Sequence, residues 1–296
     1  MRKPSPETHQ VCRSLLQKAI RRGDADLTQR VASHLYQVGD KAWLQTRAWV
    51  ICFEECWPLG ADPTLLSGFA STMDLLLRAA QSVKVKDAAG LGVLAHALST
   101  GDTSVLSDSP GDQPLITLRD AIAAPGQFWR WVMDNCSEGP ERALVHRAHT
   151  AYRSGGWPWD RAFMQAAAYL AVTDGVPNVE YIAAPSSNRF PFWIALDKHT
   201  PQGREALNKA AKIVGFSSGQ VKWMSFYFES AVTNASTESY WWARQTRWRL
   251  GKVGLHYDVA REKWRSLRVI VSEILKAESD ILQAHLDYPA DELTLL

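Results

Sequence analysis

Helix stops and helix starts follow one another so closely in this chain that a helical fold is the only class with room to form. Between Ser14 and Arg22, Leu15, Leu16, Ala19 and Ile20 recur at helical spacing, and Gly23 ends the run. Asp26 is placed to cap a second helix from Leu27 to Val38, which stops at Gly39. Asp40 is placed to cap a third from Lys41 to Cys56, stopped by Pro58 and Gly60. Pro63 opens a fourth running towards Gln81, and residues 87–98 form another apolar-periodic segment broken at Gly101. Helical patterns resume over Leu115–Ala123, Gln127–Cys136, Gly139–Ser154 and Asp160–Thr173, and long runs of period two are absent. The expectation is an all-α, multi-helix bundle, built as a single large helical domain or as two packed helical subdomains.

The clearest loop runs from Gly101 to Pro114 and is rich in Gly, Asp, Ser and Pro. It is read as a hinge between an N-terminal helical bundle over 1–100 and a C-terminal helical region over 115–296. With 46% hydrophobic and 22% charged residues the chain can build a packed core, which excludes wholesale disorder. No apolar run approaches the roughly 20 residues of a membrane span, and the polar segment Met1–Glu7 does not read as a secretory signal. A cytoplasmic protein without membrane contact is expected. Cys52 and Cys56 lie one helical turn apart, but no second pair with ligand spacing accompanies them, so these two, with Cys12 and Cys136, are read as reduced and structural. His146 and His149 also lack a companion ligand, and neither a metal nor a cofactor is expected.

Two regions carry chemistry. In the first, the apolar stretch Phe190-Pro-Phe192-Trp193-Ile-Ala-Leu196 drops abruptly into Asp197-Lys198-His199-Thr200, and a helix begins at once. Thr200 is a good N-cap, Pro201 sits at the first helical position and Gly215 is placed to end the helix. A carboxylate, an amine and an imidazole are thus set at a helix N-terminus behind an apolar wall, where a carboxylate can face a dry pocket while charged. Phe190, Phe192 and Trp193 are candidate pocket walls. The turn Gly155-Gly-Trp157-Pro-Trp159-Asp160 is a second candidate wall, with Asp160 a reserve carboxylate or simply a helix cap.

The second region is basic and rich in indoles. From Tyr240 to Arg268 the bases Arg244, Arg247, Arg249, Lys252, Arg261, Lys263, Arg265 and Arg268 outnumber Asp258 and Glu262, with Trp241, Trp242, Trp248 and Trp264 interleaved. Arginines and lysines contact phosphates, while indole faces stack on bases, so double-stranded DNA is the expected partner. Arg244, Arg247, Arg249 and Lys252, with Arg204 and the indoles Trp241, Trp242 and Trp248, are the expected DNA contacts. Trp241, Arg244 and Trp248 also fit one helix face turned inward, which is the competing explanation of that spacing.

Two stretches near the N-terminus, Leu16-Gln-Lys-Ala-Ile-Arg-Arg-Gly-Asp-Ala-Asp26 and Phe53-Glu-Glu-Cys-Trp-Pro-Leu-Gly-Ala-Asp-Pro63, resemble the helical C-terminal region of RarA/MgsA/WRNIP-type clamp-loader-like AAA+ ATPases. Gln165-Ala-Ala-Ala-Tyr-Leu-Ala171, followed by Pro177, Asn178 and Tyr181, is similar to a later part of that family. The resemblance implies a helical scaffold associated with DNA transactions and with replication or repair proteins. No phosphate loop of the G-x-x-x-x-G-K-[ST] type occurs, so no nucleotide hydrolysis is expected.

The segment Phe192–Arg204, running on to Lys212-Ile-Val-Gly215, is similar to the catalytic-aspartate stretch of the helix-hairpin-helix DNA glycosylases, although no glycine hairpin of that family precedes it. That resemblance implies that Asp197 is the catalytic carboxylate, with His199 matching the motif's histidine. The expected activity is DNA glycosylase chemistry: a damaged or modified base is everted, and the bond between sugar and base is hydrolysed through a cation-like sugar, in repair or in defence against modified phage DNA. Lys198 is read as a backbone contact or as a Schiff-base former. The alternative is a non-catalytic, clamp-loader-like DNA-binding adaptor.

Overall fold

The computed structural model describes residues 6–66, 72–182 and 190–286. Its helices are α1 (Pro6–Arg21), α2 (Ala25–Gln37), α3 (Lys41–Cys56), α4 (Thr72–Gln81), α5 (Asp87–Ser99), α6 (Gln113–Ala123), α7 (Pro125–Asn135), α8 (Pro140–Ser154), α9 (Pro158–Asp174), α10 (Pro201–Val214), α11 (Ser218–Ser225), α12 (Tyr240–Gly251) and α13 (Tyr257–Leu286). Among the described residues there is no strand, only the isolated bridges Cys56–Val85, Ser82–Tyr181 and Lys84–Ser236. The protein is all-α, and no helix of the described residues is long and apolar enough to cross a membrane.

The chain divides into two compact units that interleave along the sequence. The first comprises Met1–Leu44, Ala183–Asn234 and Arg249–Leu296, and the second Gln45–Ile182 and Ala235–Trp248. The expected boundary at residues 101–114 therefore falls inside the second unit. There α5 packs on α6 and α9, so the loop merely turns the chain between packed neighbours.

In the first unit α1 packs on α2, and α10 packs on α11 and α13. The apolar stripe of α1 (Leu15, Leu16, Ala19, Ile20) is fully buried, as its spacing requires. The cap of α2 differs from expectation: Asp24, not Asp26, accepts the Leu27 amide at 3.0 Å, and Asp26 sits in the first turn. A chain that turns at Gly23 (φ +74°) reaches the capping geometry one residue later, at Asp24. The start of α10 follows the sequence reading. Thr200 Oγ1 accepts the Gly203 amide at 3.1 Å, Pro201 opens the helix and Gly215 closes it in the left-handed region.

In the second unit α5 is buried on all sides because it is apolar and small all round. Its glycines make that possible. A Cβ on Gly90 would lie 2.3 Å from the carbonyl carbon of Trp241, and one on Gly92 would lie 2.9 Å from that of Ala162. Two helix backbones, α12 and α9, thus approach α5 as closely as a bare Cα allows. Pro63 opens only a 3-10 turn, Pro63–Leu66, and the expected continuation over 67–71 lies outside the described residues. Ions are buried here as well. Lys86 Nζ meets Glu55 Oε2 at 2.8 Å, and the Lys84 ammonium donates to the carbonyls of Ala79, Ala80 and Ser82 at the end of α4.

Candidate functional site

The Asp197–His199 segment enters α10 from the 3-10 turn Phe192–Ala195, which packs against α1 and α13. Gly203 lets the first turn of α10 lie directly on this segment, since a Cβ there would fall 2.1 Å from the Asp197 carbonyl oxygen. The consequence reverses the expectation for Asp197. Its side chain is only 1% exposed, and its carboxylate is occupied by Lys18 Nζ at 2.5 Å, the His199 amide at 2.9 Å and His199 Nδ1 at 3.1 Å. Ser14 Oγ takes a further proton of the Lys18 ammonium at 2.8 Å. Burial would raise the Asp197 pKa, but Lys18 and His199 outweigh it and hold the carboxyl well below the usual range. The carboxylate is a charged anchor inside the protein.

His199 is the member of this group that meets solvent, with its side chain 57% exposed. Its Nδ1 faces Asp197 and its Nε2 lies 2.7 Å from Lys198 Nζ. The tautomer that satisfies both contacts carries its proton on Nδ1, donates it to Asp197 and accepts from the lysine. Removal of the inner ring face from water lowers the His199 pKa against the pull of Asp197, and Lys198 and Lys18 add to that lowering. Asp197, His199 and Lys198 form a continuous chain of hydrogen bonds from the interior to the surface, so the structure brings together the three residues singled out from sequence.

Lys198 leads to a group that sequence reasoning missed. Its Nζ stands 4.3 Å from the ring centroid of Trp223 and 4.6 Å from that of Phe226, while the Arg249 guanidinium lies 4.8 Å from Trp223. Tyr227 stacks on Trp223 with centroids 5.6 Å apart, and His199 meets Phe226 edge to face. Local sequence positions these rings. Ser217 and Gln220 form a capping box at the start of α11, Gln220 Nε2 also donates to the Val253 carbonyl, and α11 continues into a π-helical turn, Phe226–Ser230. Glu229 within that turn is buried and receives Arg22, from the turn after α1, together with Arg268 and Trp264 from α13. The turn cannot unwind without stranding these groups. The visible signal was the run Phe226-Tyr-Phe-Glu-Ser230, three aromatics beside one acid. A lysine at position 18, beside the apolar stripe of α1, was the signal for Asp197's partner.

The other expected positions separate. Arg244, expected on phosphates, is buried, pairs with Asp112 and donates to the Val105 carbonyl at 3.1 Å. It is spent on holding α12 to the 101–114 loop. Trp248 Nε1 donates to Ser104 Oγ in the same loop, and the Lys86 ammonium lies over the half-buried ring of Trp242. Arg204, Arg247 and Lys252 are exposed, as a DNA contact requires. Asp160, the reserve carboxylate, is buried against Arg47 and is unavailable to a substrate. Trp157 is 67% exposed just before α9, and Trp159 packs edge-on against His96. Phe190 and Trp193 belong to the core, and only Phe192 of that trio is half-exposed. The four cysteines are buried and free; burial pushes the Cys12 thiol up to about 12, with Asp40 adding to the effect. No group of histidine, cysteine and carboxylate side chains suited to a metal occurs among the described residues.

The fold and this surface define a class, an all-α protein with a cation-and-aromatic array anchored on a buried ion pair. Compared with known proteins, the chain matches no family model, no curated protein and no solved structure.

Proposed function

We propose that the protein is a helical nucleic-acid-binding scaffold, an adaptor that holds DNA or a replication or repair complex and performs no chemistry at Asp197. The observation that carries this reading is the Trp223 ring, which has Lys198 and Arg249 both within 5 Å of its centroid and Tyr227 stacked on it. Cations held in place beside flat rings are what phosphate contact combined with base stacking requires. The sealed Asp197 supports the same reading, because a carboxylate bound to Lys18 cannot reach the sugar of an everted nucleotide. The test is the affinity for a short labelled duplex and for its single strand between about 50 and 200 mM salt. A steep fall with salt is expected, and replacing both Lys198 and Arg249 by alanine is expected to lower the log–log slope by about 2. A salt-insensitive affinity, or an unchanged slope in that double variant, overturns the proposal.

A second reading keeps glycosylase chemistry and is favoured by the Asp197–His199 hydrogen bond alone. In it Lys198 leaves His199 Nε2 for the sugar-phosphate backbone, and the freed Nε2, with the ring oriented by Asp197, withdraws a proton from the water that attacks C1′. The proton moves to Nε2, the water oxygen bonds to C1′, and the base leaves with the electrons of its glycosidic bond. Alkali treatment of damaged and modified DNA after incubation reads the abasic sites. Breaks that disappear in His199→Ala but persist in Arg244→Ala support this reading, and intact DNA throughout eliminates it.

A further inference from the structure

The second unit holds an open cavity of about 430 Å³ that has no part in the reading above. Its lining includes Trp57, Asp87, Asp174, Tyr240 and Trp241. Its chemistry is one-sided. Asp87 and Asp174 are the charged residues of the lining, and no lysine, arginine or histidine is among them. The Arg244 guanidinium lies 5.4 Å from the Trp241 ring centroid, and Asp112 already neutralises it. Asp87 opens α5, and its Oδ1 accepts the Trp241 amide at 3.2 Å, so this carboxylate also fixes the start of α12. Asp174 ends α9 and is exposed.

The aromatic part of the lining is as distinctive. Tyr240 is 62% exposed, an unusual position for a large ring, and it meets Trp241 edge to face with centroids 5.0 Å apart. Trp57 is only 3% exposed. The lining therefore offers negative charge and ring faces.

We propose that this cavity binds a guanidinium or alkylammonium group carried on a short apolar stem. The carboxylates of Asp87 and Asp174 balance the cation, and the rings of Tyr240 and Trp241 supply cation–π attraction. The volume suits one arginine- or lysine-sized group. That chemistry comes either from a free amino-acid derivative or from a side chain of a partner peptide.

The test is titration of the full chain with N-acetyl-arginine amide, its neutral citrulline counterpart, and a short peptide carrying arginine between glycines. Heat and the indole N–H resonance of Trp241, assigned with Trp241→Phe, are the readouts. Saturable binding of the arginine compound is expected, with a shift of that resonance and the citrulline compound weaker by about tenfold or more. Asp174→Asn and Tyr240→Ala, both at exposed positions, are each expected to weaken binding about fivefold. Tighter binding of the peptide identifies a protein partner as the source, and equal binding identifies a free small molecule. Absence of binding, equal binding of arginine and citrulline, or binding unaffected by both variants overturns the proposal. Duplex affinity is expected to be unchanged in these variants, which separates this site from the nucleic-acid reading.

Discussion

Lys18 Nζ lies 2.5 Å from Asp197 Oδ2, and the two residues, 179 positions apart in the chain, are both almost wholly removed from water. The pair joins α1 to the segment that launches α10. Removing one partner strands the other charge in the interior, at a cost of about 3–5 kcal/mol. Lys18→Met and Asp197→Ala are each expected to lower the unfolding free energy by that amount in a urea titration. Combining Lys18→Met with Asp197→Leu should recover most of the loss, since an apolar pair of similar volume needs no solvation.

Acid should expose the same interaction. The folded-state pKa of Asp197 is depressed below its ordinary value of 3.8. Its stabilisation is therefore complete above the unfolded-state value and is lost as pH falls from there towards the folded-state value. Stability followed by circular dichroism at fixed urea should drop steeply below about pH 4 in the wild-type chain. Asp197→Asn should start lower and show a flatter acid limb. Identical acid limbs would place the acid sensitivity elsewhere.

Arginines in one helix are expected to behave in opposite ways. Arg244→Ala removes a buried pair and should destabilise the second unit without changing how DNA affinity depends on salt. Arg247→Ala, at an exposed position, should leave stability within about 0.5 kcal/mol and reduce the salt slope by about 1 if the residue contacts phosphate. Thermal melts and binding isotherms on the two variants measure both effects.

Glycine substitutions should also divide. Gly90→Ala drives a Cβ into the Trp241 backbone and is expected to cost about 3 kcal/mol or more, because neither helix can yield. At Gly219, in α11, a Cβ would meet the Val253 side chain at an ordinary 3.5 Å. Gly219→Ala is expected to stabilise by up to about 1 kcal/mol through helix propensity. Equal melting temperatures for the two variants would contradict the close crossing of α12 on α5.

Thiol chemistry gives a simple check on the core. With the four cysteines buried and Cys12 pushed up to about 12, a thiol reagent should label none of them in the native protein at neutral pH and all of them in denaturant. Rapid native labelling of even one would show that its helix opens readily.

Helices were legible in the sequence because their signals are local. An apolar stripe, a capping side chain and a glycine stop act within a few residues, which is why Thr200, Pro201 and Gly215 bound α10 as expected. Asp24 took the cap assigned to Asp26 because both acids satisfy the local rule and only the turn at Gly23 chooses between them. The loop at 101–114 was visible, but its place inside a unit was not, because composition says nothing about which helices pack across a loop.

The candidate site divides along the same line. Asp197, Lys198 and His199 stand together because they are neighbours in the chain, and residue types alone marked them. Burial reassigned their roles: the acid became an anchor once Lys18 reached it, and the imidazole became the group that meets solvent. Arg244 looked like a phosphate contact until Asp112 claimed it, and Trp223 gained meaning only when Lys198 and Arg249 arrived beside it. Chain order carries the helices, whose hydrogen bonds span four residues. Partners for charges and rings come from distant segments, and which of them stay in water is settled only when the helices pack.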